Sequence, residues 1–548
     1  MKMEKVILLG GEAGKGSSKT SAVLGKTLTR MGYYVFNYRD YPSLIRGGHN
    51  FNVLKISDKP VYSHDNSFDI IVAFDQITID LHEKNLKGDG FIIADNRLKG
   101  KNVVAVDIES MIKNLNAPEV FGNNILLGAL FKSLGLPMSS LAKTLQEEFP
   151  KKAGMVESAV KAGYNSVEKK TEMPEAEGNG KYFISGNEAV GSGAIAAGLD
   201  IYFAYPMTPA TPVLHFLASK QKEYDIIVVQ PENEIAVVNA SLGANYAGAT
   251  TMVGTSGGGF ALMVEALSLQ GMSEVPLVVY LASRPAPSTG VPTYSEQGDL
   301  KFAVNAGHGE FPRVVVAPGD AKEAFYRTME AIYLANKYRS LSIVLADKHL
   351  GESNYSFDDF SAPSVKPGRF LMDFKGDYKS YKITKAGVTS RAVPGQGAFV
   401  RATSYEHDEY GYTREDAEWR IRMTDKRLAK IGQLENEIKN LDPVSVYGRG
   451  DNLIIGWGST KGAIIDALGG LDGYRFMQVS YIVPFPASEV KREIEKSRNV
   501  VLVENSATGM LGDIIAEQTG KMIEKKVLKY DARPFTAQDV INGVEKVK

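Results

Sequence analysis

Short apolar runs alternate with segments of helical period along most of the chain. In the first block, residues 1–170, runs such as KVILLG and DIIVAF predict strands, and the spacing of apolar positions predicts helices over 17–30, 119–134 and 139–149. This alternation is typical of βαβ units and predicts a parallel sheet with helices on its faces. Residues 171–182 are polar and charged and contain proline and glycine, so we interpret them as a linker.

The same alternation returns in two further blocks. Residues 183–375 contain the runs IYFAYP, TTMVGTS and LSIVLAD, and residues 447–548 contain NLIIGWG and NVVLVEN, with helical segments between them. Residues 376–446 form a less regular connection that ends in the charged helical stretch AEWRIRMTDKRLAKIGQLENEI. The pattern therefore predicts an α/β protein with three parallel-sheet domains.

Composition narrows the classes of function that the chain can have. Its 63 Lys and Arg residues against 64 Asp and Glu residues give no reason to expect a nucleic acid or a membrane as partner. The absence of cysteine excludes thiolate catalysis and a cysteine-ligated iron–sulfur cluster on this chain. The histidines lack metal-ligand spacing, so no metal site is expected. The N-terminus predicts a strand rather than a signal peptide, and no apolar run is long enough to span a bilayer, so we expect a cytoplasmic protein.

The stretch LLGGEAGKGSSKT, residues 8–20, has the composition of a phosphate-binding loop without its spacing. A Walker A motif that ended in Gly14 and Lys15 would need glycine at the position of Leu9. It would also need Ser or Thr at the position of Gly16. A glycine-rich turn before a helix still exposes N–H groups to an anion. The loop either holds a phosphate or only turns the chain, and a nucleotide-binding protein remains an alternative.

A second motif, the tripeptide GDG at 88–90, resembles the metal motif of thiamine-diphosphate enzymes, in which an asparagine such as Asn114 follows downstream. In that motif the GDG leads into a helix, whereas here it precedes the apolar run FIIAD. We therefore interpret it as a turn, with Asp89 and Asn114 on the surface.

Two loops of the second block carry candidate ligand-binding groups. The stretch AYPMTPATP, residues 204–212, is a loop made rigid by prolines directly after a strand, which is where open α/β sheets bind ligands. Its hydroxyls belong to Thr208 and Thr211. The loop SRPAPSTGVPTYSEQGDL, residues 283–300, offers Arg284, whose guanidinium suits a small carboxylate.

Glu232 and Glu234 stand at the start of a helix that is otherwise apolar and rich in small residues. A glutamate near a helix N-terminus is usually an electrostatic cap. Beside so apolar a helix, however, a carboxylate is partly desolvated. Desolvation favours its protonated form, which can donate to a heterocycle nitrogen.

Several stretches, in order along the chain, resemble one family, the 2-oxoacid:ferredoxin oxidoreductases whose alpha subunit is a gamma–alpha fusion. The resemblance covers nearly the whole chain. It rests on YPMTP (205–209), where the family has YPITP, on TSGGGFALMVEAL (255–267) and on RPAPSTGVPTYSEQGDL (284–300). The stretches EHDEYGYTRED, ENSATGML and KYDARPFTAQDV are also similar to family stretches, and RGGHNFNVLKIS (46–57) is similar to the gamma domain.

The resemblance implies a gamma-type domain, a domain like the pyrimidine-binding domain of thiamine-diphosphate enzymes and a transketolase C-terminal-like domain. The implied reaction is the coenzyme A-dependent oxidative decarboxylation of a 2-oxoacid to acyl-CoA and CO₂, with ferredoxin as electron acceptor. Thiamine diphosphate would be shared with a separate beta subunit, which would also carry Mg²⁺ and a [4Fe–4S] cluster. A transketolase-type thiamine-diphosphate enzyme is an alternative.

The resemblance also implies roles for residues at matching positions. Glu234 would hydrogen-bond the aminopyrimidine of the cofactor, with Glu232 as its rival. Thr208 would orient the 2-oxoacid, and Arg284 would clamp its carboxylate. The further implied positions are Thr293 and Tyr294 for the substrate, Thr255, Ser256 and Gly257 for the cofactor, and Gly14, Lys15, Gly16, Arg46, Gly47 and Gly48 for coenzyme A.

Overall fold

The structure, a computed structural model, describes residues 4–44, 47–173, 176, 180–374 and 376–548. Within this part of the chain, two compact units form. The first consists of the described residues up to Ile184 together with 353–360 and 536–538, and the second consists of the others.

The strands and helices follow one another through both units. The strands are β1 (Glu4–Glu12), β2 (Tyr34–Asp40), β3 (His49–Ser57), β4 (Phe68–Ala73), β5 (Leu86–Asp95), β6 (Val103–Val106), β7 (Tyr182–Ser185), β8 (Ile201–Ala204), β9 (Ile227–Val229), β10 (Thr251–Thr255), β11 (Leu277–Ser283), β12 (Arg313–Val316), β13 (Leu341–Asp347), β14 (Asn354–Phe357), β15 (Val444–Gly448), β16 (Asn452–Gly456), β17 (Tyr474–Val479), β18 (Tyr481–Val483), β19 (Asn499–Glu504) and β20 (Lys525–Leu528). The helices are α1 (Ser17–Arg30), α2 (Gln76–His82), α3 (Ile108–Leu115), α4 (Gly122–Ser133), α5 (Ser139–Glu148), α6 (Ala153–Asn165), α7 (Gly186–Ala196), α8 (Thr211–Tyr224), α9 (Glu234–Tyr246), α10 (Gly257–Ser273), α11 (Leu300–Asn305), α12 (Ala321–Tyr338), α13 (Lys348–Glu352), α14 (Ala417–Ile438), α15 (Thr460–Ala467), α16 (Ala487–Glu495), α17 (Met510–Thr519) and α18 (Ala537–Lys546).

The first unit is built on a mixed sheet with the strand order β6-β5-β4-β1-β3-β2-β14-β7. From β6 to β1 the strands are parallel, whereas β3 is antiparallel to both β1 and β2. Buried side chains such as Ile7, Leu54 and Val72 pack against helices α1 and α4 to form its core. Helices α4 and α6 approach closely because each has a glycine at the contact, Gly128 in α4 and Gly163 in α6. A Cβ on Gly128 would clash with the carbonyl oxygen of Val160.

The second unit contains two sheets that share one hydrophobic core. Their strand orders are β18-β12-β13-β11-β10-β8-β9 and β15-β17-β16-β19-β20. Buried residues of both sheets, among them Leu281, Leu453 and Leu502, belong to the same cluster. Strand β18 follows β17 after a single residue but pairs with β12 of the other sheet, which ties the two sheets together.

The prediction of an α/β fold is confirmed, and the charged stretch 417–438 is the helix α14. The sheets are mostly parallel, with antiparallel additions that the apolar pattern did not show. The turn predicted at GDG is wrong, because residues 88–90 lie within strand β5, although Asp89 and Asn114 are exposed as expected. Helices α3 and α6 were not predicted. Among the described residues, no helix is both long enough and apolar enough to cross a membrane.

Candidate active site

The loop after β8 is held by hydrogen bonds from neighbouring elements of the second unit. Arg284 Nη1 donates to the carbonyl oxygen of Thr208 at 2.8 Å. Asn187 Nδ2 donates to the carbonyl oxygen of Pro209 at 3.2 Å, and Tyr280 Oη donates to Asn187 Oδ1 at 2.8 Å. The structure thus joins Thr208 and Arg284, two residues that the sequence proposed separately for the substrate.

Glu234 is the first residue of helix α9, and its side chain is only 3% exposed. The helix begins there because Asn233 is its N-cap, with Oδ1 accepting from the backbone N–H of Ala236 at 2.9 Å. Glu234 Oε1 is buried and has no hydrogen-bond partner among the described residues. Glu232, by contrast, is exposed. Of the two rival carboxylates, only Glu234 therefore has the burial expected of a group that awaits a partner.

The start of helix α10 lies against Glu234. A Cβ on Gly259 would lie 2.5 Å from Glu234 Oε1 and would clash with Thr255 Oγ1, so the glycine leaves room for both side chains. Ser256, the N-cap of α10, is fully buried, and within the described part of the chain its Oγ has no hydrogen-bond partner. Buried polar atoms without partners are rare in proteins. Two of them occur together here: Ser256 lies in the turn between β10 and α10, and Glu234 lies against the first turn of α10.

A cleft of about 500 Å³ opens beside the same turn in the second unit. Its lining includes Met207, Ser256, Gly257, Arg284, Asp299 and Phe302. The carboxylate of Asp299 lies against Gly257, because a Cβ there would come within 2.6 Å of Oδ1. Burial raises the pKa of Asp299, and Ser283 and Arg284 partly oppose this shift. Sequence reasoning missed Asp299, although it lies in the stretch EQGDL that contributed to the resemblance.

Of the four predicted substrate residues, only Arg284 lines this cleft, and Thr208, Thr293 and Tyr294 lie outside its lining. Thr293 is 4% exposed, and its Oγ1 finds no hydrogen-bond partner in the part of the chain that the structure describes. Tyr294 lies under Arg533, whose guanidinium carbon is 3.7 Å from the ring centroid.

The glycine-rich loop of the first unit joins β1 to α1. Gly14 and Gly16 have φ of +91° and +85°, which favours glycine at both positions. Lys15 Nζ lies 3.7 Å from Glu12 and 3.8 Å from Asp75, at salt-bridge distance from both carboxylates.

The second predicted glycine stretch of this unit lies beside the loop. The backbone N–H of Ala13 donates to the carbonyl oxygen of Gly48 at 3.3 Å. Gly47 has a φ of +76°, with open space where a Cβ would lie. Arg46, the third member of this predicted stretch, lies outside the described residues.

A cleft of about 860 Å³ lies beside the glycine-rich loop, within the first unit. Gly14 and Lys15 line it together with Arg97, Lys113, Asn123 and Phe74. Arg97 is paired with Asp95 at 2.6 Å and with Glu109 at 2.9 Å. The cleft lies beyond the carboxyl ends of parallel strands β4 and β5, the usual ligand-binding edge of an α/β sheet.

Comparison with known proteins gives matches over both units. Residues 192–426 match the family model described as "Pyruvate flavodoxin/ferredoxin oxidoreductase, thiamine diP-bdg", and residues 6–167 match "Pyruvate ferredoxin/flavodoxin oxidoreductase". The 2-oxoacid:ferredoxin oxidoreductase subunit alpha of Saccharolobus solfataricus is 31% identical over 98% of this chain and 97% of its own length. The 2-oxoglutarate synthase subunit KorA of Methanothermobacter marburgensis is 28% identical over 67% of this chain and 99% of its own length.

A solved structure is similar over the full length of both chains. It is the 2-oxoglutarate:ferredoxin oxidoreductase from Magnetococcus marinus with 2-oxoglutarate, coenzyme A and succinyl-CoA bound, with 28% identity, 100% coverage of each chain and a TM-score of 0.90.

Proposed function

Because this chain belongs to the 2-oxoacid:ferredoxin oxidoreductases and is similar to their alpha subunits along its whole length, we propose that Glu234 binds the aminopyrimidine of thiamine diphosphate. The enzyme is an oxidoreductase that decarboxylates a 2-oxoacid in a coenzyme A-dependent reaction. The division into gamma-type, pyrimidine-binding-like and transketolase C-terminal-like domains is part of this proposal.

The unpartnered oxygen of Glu234 is the observation that carries the proposal. A buried carboxylate oxygen without a partner costs free energy that a ligand hydrogen bond would offset. Glu234 would hold a proton between its Oε1 and a ring nitrogen of the cofactor, and the turn of Thr255, Ser256 and Gly257 would form the adjoining wall. When bound, the cofactor supplies the stabilisation of negative charge that decarboxylation requires.

The cleft beside Arg284 suits the carboxylate of the 2-oxoacid. A guanidinium can bind a carboxylate through two parallel hydrogen bonds, and Arg284 is already fixed by its bond to the carbonyl oxygen of Thr208. We assign the hydroxyls of Thr208 and Thr293 to orientation of the same substrate, and Tyr294 to its side chain. Among the described residues, the hydroxyl of Thr293 has no hydrogen-bond partner, which supports its part in this assignment.

Coenzyme A is assigned to the glycine-rich loop of the first unit, with Gly14, Lys15, Gly16, Gly47 and Gly48 as the described contacts. Lys113 in the lining of the neighbouring cleft supports the binding of phosphate groups, whereas Lys15 and Arg97 there already face carboxylates.

A separate beta subunit completes the proposed enzyme. The cysteine-free sequence supports placing the [4Fe–4S] cluster on that subunit, and we place Mg²⁺ there as well. Large apolar side chains of the loops and helices that carry the candidate site are exposed, among them Tyr205, Ile235, Leu262 and Val291, and they suit a protein contact. Ferredoxin is the proposed electron acceptor, and the cytoplasm is the proposed compartment.

Replacing Glu234 by Gln in the complex with the beta subunit tests the cofactor assignment. Gln keeps the size of the side chain but cannot exchange a proton with the cofactor, so we expect oxidative decarboxylation to fall about 100-fold or more. Activity is measured as 2-oxoacid-dependent ferredoxin reduction, and size-exclusion chromatography checks that the subunits still assemble. Glu232→Gln is the matched control and should retain activity. The opposite pattern would identify Glu232 as the cofactor ligand.

A further inference from the structure

The substrate loop, residues 284–299, is fixed at its far end by buried polar side chains of the second unit. Ser295 and Gln297, the two anchors, are 1% and 0% exposed. Both make hydrogen bonds to residues distant in sequence, and none of these partners has a role in the proposed chemistry.

Gln297 connects the substrate loop to the sheet of β16 and β19. Its Nε2 donates to the carbonyl oxygen of Trp457 at 2.8 Å, and its Oε1 accepts from the backbone N–H of Asn505 at 2.8 Å. The backbone N–H of Gln297 also donates to the carbonyl oxygen of Asn505 at 2.7 Å. Trp457 and Asn505 each follow directly after a parallel strand, so Gln297 joins the loop to the carboxyl edge of that sheet.

Ser295 provides a second anchor on strand β13. Its Oγ donates to Asp347 Oδ1 at 3.2 Å and accepts from the backbone N–H of His349 at 3.0 Å. The other oxygen of Asp347 accepts from Ser459 Oγ at 2.5 Å. The carboxylate therefore bridges the loop and the start of helix α15.

Asn505 extends the same connection to the segment that contacts Tyr294. Its Nδ2 donates to the carbonyl oxygens of Lys529 at 2.7 Å and Arg533 at 3.2 Å. Arg533 is the residue whose guanidinium covers the Tyr294 ring. The hydrogen bonds from Asn505 thus support both the loop and the residue stacked on it.

Thr293 lies two residues before Ser295 and four before Gln297. With so short a chain between them, the position of the Thr293 hydroxyl depends on where the two anchors hold the backbone. We propose that Gln297 is a positioning residue for the 2-oxoacid: by joining the loop to Trp457 and Asn505, it holds the Thr293 hydroxyl where the substrate needs it. This inference rests on the proposed function of Thr293.

Gln297→Met in the complex with the beta subunit tests the inference. Met has a similar size but cannot make either side-chain hydrogen bond, so the loop loses its anchor. We expect kcat/KM for the 2-oxoacid to fall about tenfold, mainly through KM, since small displacements of positioning groups are costly. The affinity for thiamine diphosphate, measured by fluorescence titration, should stay unchanged because Glu234 lies on a different element.

A double-mutant cycle separates positioning from a general loss of stability. If Gln297 acts through Thr293, Gln297→Met should have little further effect on kcat/KM in a Thr293→Val background. The matched control is Tyr481→Phe, which removes a buried 2.7 Å hydrogen bond to Glu330 in the same unit. It should lower the melting temperature and leave kcat/KM unchanged.

Each outcome is decisive. The positioning role is overturned if the effects of Gln297→Met and Thr293→Val on kcat/KM multiply. It is also overturned if the Gln297→Met enzyme has a normal kcat/KM. If Thr293→Val alone is without effect, the substrate assignment of Thr293 fails instead. If the Gln297→Met complex does not assemble, Ser295→Ala is used in its place, because it removes the other anchor. It should lower kcat/KM and have little further effect in the Thr293→Val background.

Discussion

Two glutamates separated by one residue differ completely in their surroundings. Glu232 is exposed in the turn before helix α9, whereas Glu234 is buried at the first helical position. The Asn233 cap fixes where the helix begins, and this decides which carboxylate turns inward. At the scale of single residues, burial together with an unpartnered oxygen distinguishes a candidate ligand-binding group from an ordinary helix cap.

Arg284 gives a prediction at the same scale. Arg284→Ala removes the proposed carboxylate clamp and the hydrogen bond to the carbonyl oxygen of Thr208. We expect the KM for the 2-oxoacid to rise about 10- to 100-fold, the usual effect of losing a charge-assisted hydrogen bond. Steady-state kinetics of the complex measure this. Arg284→Lys keeps the charge without the planar fork and should be intermediate. An unchanged KM in Arg284→Ala would disprove the clamp.

At the scale of secondary-structure elements, helix α14 shows how a correctly predicted helix can contain unexpected contacts. Lys426 and Lys430, one turn apart, are both buried, and each pairs with Glu274 at 2.6 Å. Burial lowers the pKa of Lys430 to about 7. Because Glu274 caps the C-terminus of α10, these two buried ion pairs attach α14 to the helix that begins at Gly257.

The glycine-rich element between β1 and α1 gives a prediction for coenzyme A. Lys15 lies in the loop at the edge of the large cleft, so Lys15→Ala should raise the KM for coenzyme A about 3- to 10-fold by removing one phosphate contact. Lys19→Ala is the control, because Lys19 lies in helix α1, outside the lining of the cleft, where it pairs with Glu148. Initial rates at varied coenzyme A concentration distinguish the two. Equal effects of the two variants would mean that the loop only turns the chain.

At the scale of the whole molecule, each unit holds its own candidate cleft. The larger one lies beside the glycine-rich loop of the first unit, and the smaller one lies beside Ser256 and Gly257 at the start of helix α10 in the second. Arg284 in the lining of the second cleft supports our proposal that a carboxylate binds there. The sequence provides no cysteine that could ligate a cluster for electron transfer. This supports our proposal that a second protein carries the cluster.

The isolated chain should accordingly be inactive. Purified alone, it should show no 2-oxoacid-dependent reduction of ferredoxin, and co-expression with the beta subunit should restore that activity. Pyruvate, 2-oxoglutarate and branched 2-oxoacids, tested with the same preparation, identify the preferred substrate. Full turnover by the isolated chain would disprove the proposal that a separate beta subunit is needed for activity.

The apolar pattern determined most strands and the α/β class, because a buried parallel strand is a short apolar run and a packed helix repeats every three to four residues. Motif order along the chain was enough to identify the family. The pattern failed where the signal is weak: the antiparallel pairing of β3 and the strand through GDG depend on neighbours that are distant in sequence.

Only the tertiary structure distinguished Glu234 from Glu232 and joined Arg284 to the Thr208 loop. The same is true of Gln297, whose partners Trp457 and Asn505 lie 160 and 208 residues away along the chain. Burial and hydrogen bonding of this kind are set by how sheets pack together, which local periodicity does not record. The sequence by itself therefore determined the family and its elements, and the packing of the sheets decided which side chains form the candidate site.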